Sequence, residues 1–339
     1  MKRQIAVALL AASAALSGCS RYQDFTLPVQ SATEGEVRLN WDVRTAPVLG
    51  RGARGEFDSV DALNPSVVHT AAGYFNFYSG FDGKTWHTGL AISPDGLEWN
   101  KRGRVMSPDP ATWEGGYIAA NGSVLEIDGE FWHWYQAGQP PRIGLARSKD
   151  GVTWSKEKSP VLPLGPRGSW DERGVADPYV IRAGNSLYMY YLGQDRARRQ
   201  RIGVAVSSEG FEWHKLRTNP VLELGSPGSF DEVGLGEPAV WSDRGSYWML
   251  YTARDRSENR RLGLARSQDG VNWKRVREGP VLAGNAPWNA KVVCDPSVQA
   301  DGGFVRVWFG GGTRAEPAEN LEGQIGFATL RISAATLTK

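Results

Sequence analysis

Five polar residues stand at matched positions along the chain: Asn64, Asn121, Asp177, Glu237 and Asp295. Each follows an aromatic residue by seven or eight positions, the aromatics being Phe57, Trp113, Trp170, Phe230 and Trp288. If a fold brings the three acids together, they raise one another's pKa, because each negative charge disfavours the next. A carboxyl held protonated near neutral pH is what a general acid requires. Three residue kinds at equivalent positions make an asymmetric cluster on a repeated scaffold, whereas a purely structural role would favour one kind. The bland alternative is that these groups cap strands or hold axial water.

The elements that must position them are read from repetition. Pro160-Val161-Leu162 returns at 47, 220 and 280, with Arg104-Val105-Met106 as a weaker copy, giving a period of about 56 to 60 residues and five units. Such periods mark propellers or solenoids. Within a unit, four short strand-like runs alternate with turn residues, as in Leu187 to Gly193 followed by Ile202 to Ala205. The expected fold is therefore all-β, a five-bladed β-propeller of four-stranded blades. The fifth unit lacks the Ser-x-Asp-Gly-x-x-Trp run that follows the others, so the N-terminal strand Val37 to Trp41 is expected to supply the missing outer strand and close the ring.

Strand order sorts the motifs by face. The strand opening at each Asn/Asp/Glu lies innermost, and because successive strands reverse direction, its entry shares a face with the connection between second and third strands. The Ser93-Pro94-Asp95-Gly96-Leu97-Glu98-Trp99 run and its three relatives fall on the opposite face. They resemble a shortened sialidase Asp-box, and repetition in unit after unit points to a turn cap rather than chemistry. Asp58, Asp171 and Asp231, repeated in the same way, are also expected to be structural. The loops on the functional face include Arg196, Arg198, Arg199 and Arg201, then Arg254, Arg256, Arg260 and Arg261. Their guanidinium forks suit carboxylate, sulfate or phosphate, with Arg196 and Arg254 as candidate ligand contacts; the alternative is solvated charge balanced by Asp195, Asp255 and Glu258. Trp86 and His87 are candidate stacking groups, and Trp132 and Trp134 are expected in the core.

A net charge of +2 argues against a nucleic-acid partner. Four scattered His and no metal-ligand spacing or phosphate loop lead to an expectation of no cofactor and no metal. The two cysteines are Cys19 and Cys294. Met1 to Cys19 has a Lys2-Arg3 start and an apolar run too short to span a membrane. Ala15-Leu16-Ser17-Gly18-Cys19 resembles the lipobox of bacterial lipoproteins, which implies lipid on Cys19 and a membrane anchor. With Ser20 next, it implies the outer membrane, facing the periplasm. The organisation expected is 1–19 signal, 20–35 tether, 36–332 propeller and 333–339 tail, acting as a monomer. Once Cys19 is lipidated, no intrachain disulfide is available, so stability must come from a core to which the 14 Trp contribute.

Over roughly residues 36 to 332 the layout resembles the five-bladed propeller glycosidases, chiefly glycoside hydrolase family 43 and its relatives in families 32, 62, 68 and 130. In family 43 a first-blade Asp is the base, a third-blade Asp orients and tunes the acid, and a later Glu donates the proton. Ala176-Asp177-Pro178 matches the third-blade position and Gly236-Glu237-Pro238 the donor. The resemblance thus implies a glycosidase acting on an oligo- or polysaccharide, with Asn64 and Asn121 contacting substrate. The first blade departs: Leu63-Asn64-Pro65-Ser66-Val67 puts an amide where the base should stand, more like the mannoside phosphorylases and mannosidases of family 130. Three outcomes stay open: Asp295 acts as base, Asp61 does, or the protein binds sugar without cutting it. Phosphorolysis is a further alternative. An acid and base about 6.5–9.5 Å apart would give inversion.

Overall fold

The computed structural model describes residues 21–31 and 35–335. Cys19 and the signal segment, and residues 336–339 of the expected tail, lie outside the described residues. What is described is all-β apart from one short 3-10 turn at Pro287–Asn289.

Antiparallel pairing repeats five times. Ala119–Ile127, Glu130–Ala137, Arg142–Ser148 and Ser155–Lys156 form one four-stranded ladder. Gly174–Ala183, Ser186–Gln194, Gln200–Ser207 and His214–Leu216 form the next, and Gly234–Asp243, Ser246–Arg254, Arg260–Ser267 and Lys274–Arg275 another. In the first unit the opening strand is split into Asp61–Leu63 and Val67–Thr70, before Gly73–Phe81, Trp86–Ser93 and Asn100–Met106. In the last, Val292–Asp301, Phe304–Gly312 and Gln324–Ala334 are joined by the N-terminal Val37–Val43, which pairs with Gln324–Ala334 from Val37–Ala334 to Val43–Ala328.

The middle strands read as continuous apolar runs because both their faces are covered. Along Ser186–Gln194, Tyr188 and Tyr190 pack into the cluster shared with the fourth unit, while Leu187, Met189 and Tyr191 pack into the one shared with the second. A period of two thus divides one run between two seams. Each such large side chain contributes about 1.5–3 kcal/mol on burial.

The repeated acids behave as structural groups. Ser93 Oγ accepts from Gly96 N at 2.9 Å, and Asp95 Oδ1 accepts from Leu97 N and Glu98 N at 2.8 and 3.0 Å, closing the turn. The same bonds recur at Ser148/Asp150 and Ser267/Asp269. Asp58 accepts from Tyr78 and Lys101, Asp171 from Tyr191 and Lys215, and Glu114 from Tyr135 and Lys156, so each is a buried acid held by a tyrosine and a lysine. The aromatic beside the acid is wedged against glycines of its own sheet. A Cβ at Gly193 or Gly203 would lie 2.2 or 2.5 Å from Trp170.

Residues 21–30 of the segment expected to be a tether are docked instead. Tyr22–Gln23 adds a parallel pair to Lys215–Leu216, and Leu27 N donates to Asp269 O at 2.8 Å. Leu27 is buried in the seam between the third and fourth units, against Gly270, whose φ of +72° and missing Cβ make the room. The physical reason is that Phe25 and Leu27 have apolar surface to bury and the outer strand His214–Leu216 has a free edge to pair.

Candidate active site

Asn64, Asn121, Asp177, Glu237 and Asp295 line one cavity of about 260 Å³. All five share a backbone conformation, with φ between +46° and +51°. In four of the units the strand register slips at this residue, between Ala120 and Ser123, Ala176 and Tyr179, Gly236 and Ala239, and Cys294 and Ser297. A bulge in the left-handed region turns the side chain out of the sheet. Asn and Asp tolerate that region best, which supplies a backbone reason for the residue at four of the five positions. Glu237 has no such reason.

The five are linked in series. Asn121 Nδ2 donates to Asp177 Oδ1 at 3.4 Å, and Asn64 Nδ2 donates to Asn121 Oδ1 at 2.9 Å. The backbone N–H of Asn64 donates to Asp295 Oδ2 at 3.3 Å, and that of Asp295 to Glu237 Oε2 at 3.3 Å. Both asparagines are therefore fixed as spacers. Cys294 Sγ also donates to Asp295 Oδ2 at 3.0 Å. Burial, then the charge of Glu237, raises Asp177 to about 8 and pushes Asp295 well above the usual carboxylate range. Asp177 therefore holds a proton at neutral pH, and Asp295 is shifted in the same direction. An oxygen of Glu237 and one of Asp295 lie within 4.8 Å.

The wall comes from the first residues of third strands, Trp86, Gln200 and Arg260, and from the ends of second strands, Gln136, Gln194 and Arg254. Each third strand starts against the next unit: Trp86 bridges Ile118, Gln200 bridges Gly234 and Arg260 bridges Val292, all parallel. A carboxylate cluster on the floor of a polar cavity, under aromatic and amide walls, is equipped to protonate a leaving oxygen and hold a hydroxylated ligand.

The sequence model of the glycosyl hydrolases family 32 N-terminal domain matches residues 67–283. The chain belongs to this family. An uncharacterized protein of Mycobacterium tuberculosis is 29% identical over 236 residues, covering 63% of this chain and 75% of its own. The sucrose-6-phosphate hydrolase of Bacillus subtilis is 24% identical over 155 residues (44% and 30%), and the 1,2-beta-oligomannan phosphorylase of a Thermoanaerobacter is 27% identical over 128 (34% and 41%). Among solved structures, a glycoside hydrolase superposes with a TM-score of 0.69 at 17% identity, over 88% of this chain and 95% of that one. The β-1,2-mannobiose phosphorylase of Listeria innocua gives 0.64 at 12%, over 91% and 94%. The fold of this family 32 domain is that of the propeller glycosidases, and it is a glycoside hydrolase by family.

Three expectations for this family 32 domain need correction. Asp61 does not reach the cavity: it is fully buried and accepts from Asn320 N and Gly323 N at 2.7 Å each, so it holds a loop and is no base. His87 follows Trp86 on the same strand and therefore points to the other face, where Nδ1 meets Ser107 Oγ at 2.9 Å and Nε2 meets Asp82 at 3.4 Å. Arg196 is not among the cavity-lining residues; it is forked on Glu172 at 2.9 and 3.1 Å, so its guanidinium is taken up by a neighbouring carboxylate. Trp86 and Arg254 do line the cavity. Trp134 is core, as expected, and Trp132 is partly buried against it.

Gln136, Gln194, Gln200 and Tyr117 were not among the residues singled out by sequence. The signal for Gln200 was present: Trp86, Arg142, Gln200, Arg260 and Gln324 begin the third strands, as dissimilar among themselves as the five floor residues.

The raised carboxyl of Asp177 carries a pH dependence of stability. Its proton is bound more tightly folded, at about 8, than at the ordinary value of 3.8. The contribution of the protonated form is thus present at low pH and lost as pH climbs towards 8. Asp177→Asn, neutral at every pH, should gain stability relative to the parent from about pH 4 to 8 and then hold that gain. Paired melting curves from pH 4 to 9 measure it; a flat difference contradicts the proton-holding state.

Proposed function

We propose that this protein cleaves the glycosidic bond of an oligo- or polysaccharide, with Glu237 protonating the leaving oxygen. The reading is carried by Glu237 itself: it occupies a left-handed backbone position that a glutamate disfavours, on the floor of the cavity, beside two more carboxyls. Asp177 holds a proton in the cluster and positions the donor's end of the sugar. Asp295 is the second carboxyl. One of its oxygens lies within 4.8 Å of one of Glu237's, which leaves no room for the water that inversion places between acid and base, so Asp295 is read as the group that attacks the sugar. Retention of anomeric configuration is therefore proposed rather than inversion. In the first step the Asp295 proton passes to Glu237, the anomeric carbon–oxygen bond breaks as the leaving oxygen takes that proton, and the Asp295 carboxylate so freed bonds to carbon. In the second, water releases the sugar and returns its proton to Glu237.

A phosphorylase reading is favoured by one feature: Asn64 stands where a base is expected, while Arg254 and Arg260 line the same cavity. Phosphate would then replace water. Incubation with a glycan panel, with and without phosphate, decides between them. Free reducing sugar released at the same rate without phosphate is expected; sugar phosphate formed only with phosphate would establish the second reading, and saturable binding without either product would reduce the protein to a lectin-like role.

The repeated ladders are read as five four-stranded blades of a closed propeller spanning 36–332, and residues 1–19 as a lipoprotein signal placing the chain at the outer membrane through Cys19. The supports are the strand pairing and the Leu16-Ser17-Gly18-Cys19 sequence.

A further inference from the structure

The connections between second and third strands are residues 82–85, 138–141, 195–199 and 255–259 in the first four units, but 313–323 in the fifth. This longest loop is fixed by side chains from three other units. Arg260 Nη2 donates to Glu316 O and Pro317 O at 3.0 and 2.8 Å, and Arg254 Nη1 to Pro317 O at 3.3 Å, tying it to the fourth unit. Tyr117 Oη donates to Glu319, tying it to the second. Asp61 takes the backbone N–H groups of Asn320 and Gly323, tying it to the first, and Leu321 is fully buried beside Leu63 and Trp86. Pro317, Ala318 and Glu319 line the cavity.

We infer that residues 313–323 are a fixed strap across the fourth-, fifth-, first- and second-unit side of the cavity mouth, and that it makes the cavity a dead end admitting a chain terminus rather than the middle of a chain. The geometry gives each otherwise unassigned residue a part. Asp61, unique to the first unit, is the anchor, because a buried carboxylate with two N–H donors holds a loop more firmly than water does. Arg260 is the buried rivet. Tyr117 with Glu319 is the latch at the rim, where the carboxylate also presents an acceptor to a sugar hydroxyl. The strap leaves the side of Pro141, Gln136 and Gln194 as the way in for the rest of the chain.

The inference rests on the glycosidase reading only for what enters the cavity, so its first test needs no turnover. Amide hydrogen exchange over 313–323 should be slow in the parent and at least tenfold faster in Asp61→Asn, with exchange in Gly174–Ala183 unchanged. Equal exchange in the two proteins overturns the anchored strap, and global loss of protection is controlled by Glu319→Ala with Tyr117→Phe, which touches no buried anchor and should speed exchange at 316–320 alone. The second test uses reducing-end-labelled hexasaccharides of arabinan, fructan, mannan and galactan. The parent should shorten a labelled chain by one terminal unit at a time, and the latch variant should raise the share of internal cuts several-fold. Internal fragments from the parent at the outset, or an unchanged pattern from the latch variant, overturn the dead end. If none of the four is cut, the glycosidase reading fails and the strap is decided by the exchange result.

Discussion

Glu237→Gln should lower turnover of a sugar with a poor leaving group by about 10²–10⁴-fold, the usual contribution of a positioned proton donor. The amide keeps the size of the side chain and can still accept the 3.3 Å hydrogen bond from Asp295 N, so folding should be unaffected. The loss should shrink on a substrate whose leaving group departs without protonation, because that bond breaks without the donor. Removing one negative charge beside Asp177 should also lower the pKa of Asp177, since Glu237 is the second cause of its elevation after burial. Steady-state rates on matched good and poor leaving groups, with melting temperature as a control, measure all of this. An undiminished rate on the poor leaving group would place the proton elsewhere, with Asp177 the first candidate.

The largest stability effect is expected away from the cavity. Asp171 is fully buried, accepts from Lys215 and from Tyr191 at 3.2 Å, and sits on the outer side of the third unit. Asp171→Ala leaves the Lys215 ammonium buried without its partner, and breaking a buried pair in this way costs about 3–5 kcal/mol. Burial already lowers the Lys215 pKa, so the orphaned lysine should lose its proton in the folded state. Replacing both, Asp171→Ala with Lys215→Met, should recover a large share, because it removes the uncompensated charge rather than adding a contact. Denaturant midpoints at constant slope measure the differences. A single variant within about 0.5 kcal/mol of the parent would mean the pair is hydrated and carries little, the size expected of an ordinary surface substitution.

What was legible in the sequence was whatever is repeated. The Pro-Val-Leu period, the Ser-x-Asp-Gly turns and the fixed distance from Trp170 to Asp177 are local, because turn chemistry and strand alternation act over a few residues and leave the same mark in each unit. They led to the strand order, the structural role of Asp58, Asp171 and Asp231, and a common cavity for Asn64, Asn121, Asp177, Glu237 and Asp295.

What only the tertiary structure decided lies in contacts between residues far apart in the chain. That Asp61 holds Asn320 and Gly323, that Arg196 pairs with Glu172, and that Leu27 fills a seam rather than trailing as a tether are matters of which partner is near in space. No periodicity encodes that distance. The shared left-handed backbone at the five floor positions is likewise invisible in composition, and it separates the four Asn and Asp residues that it favours from Glu237, which it does not.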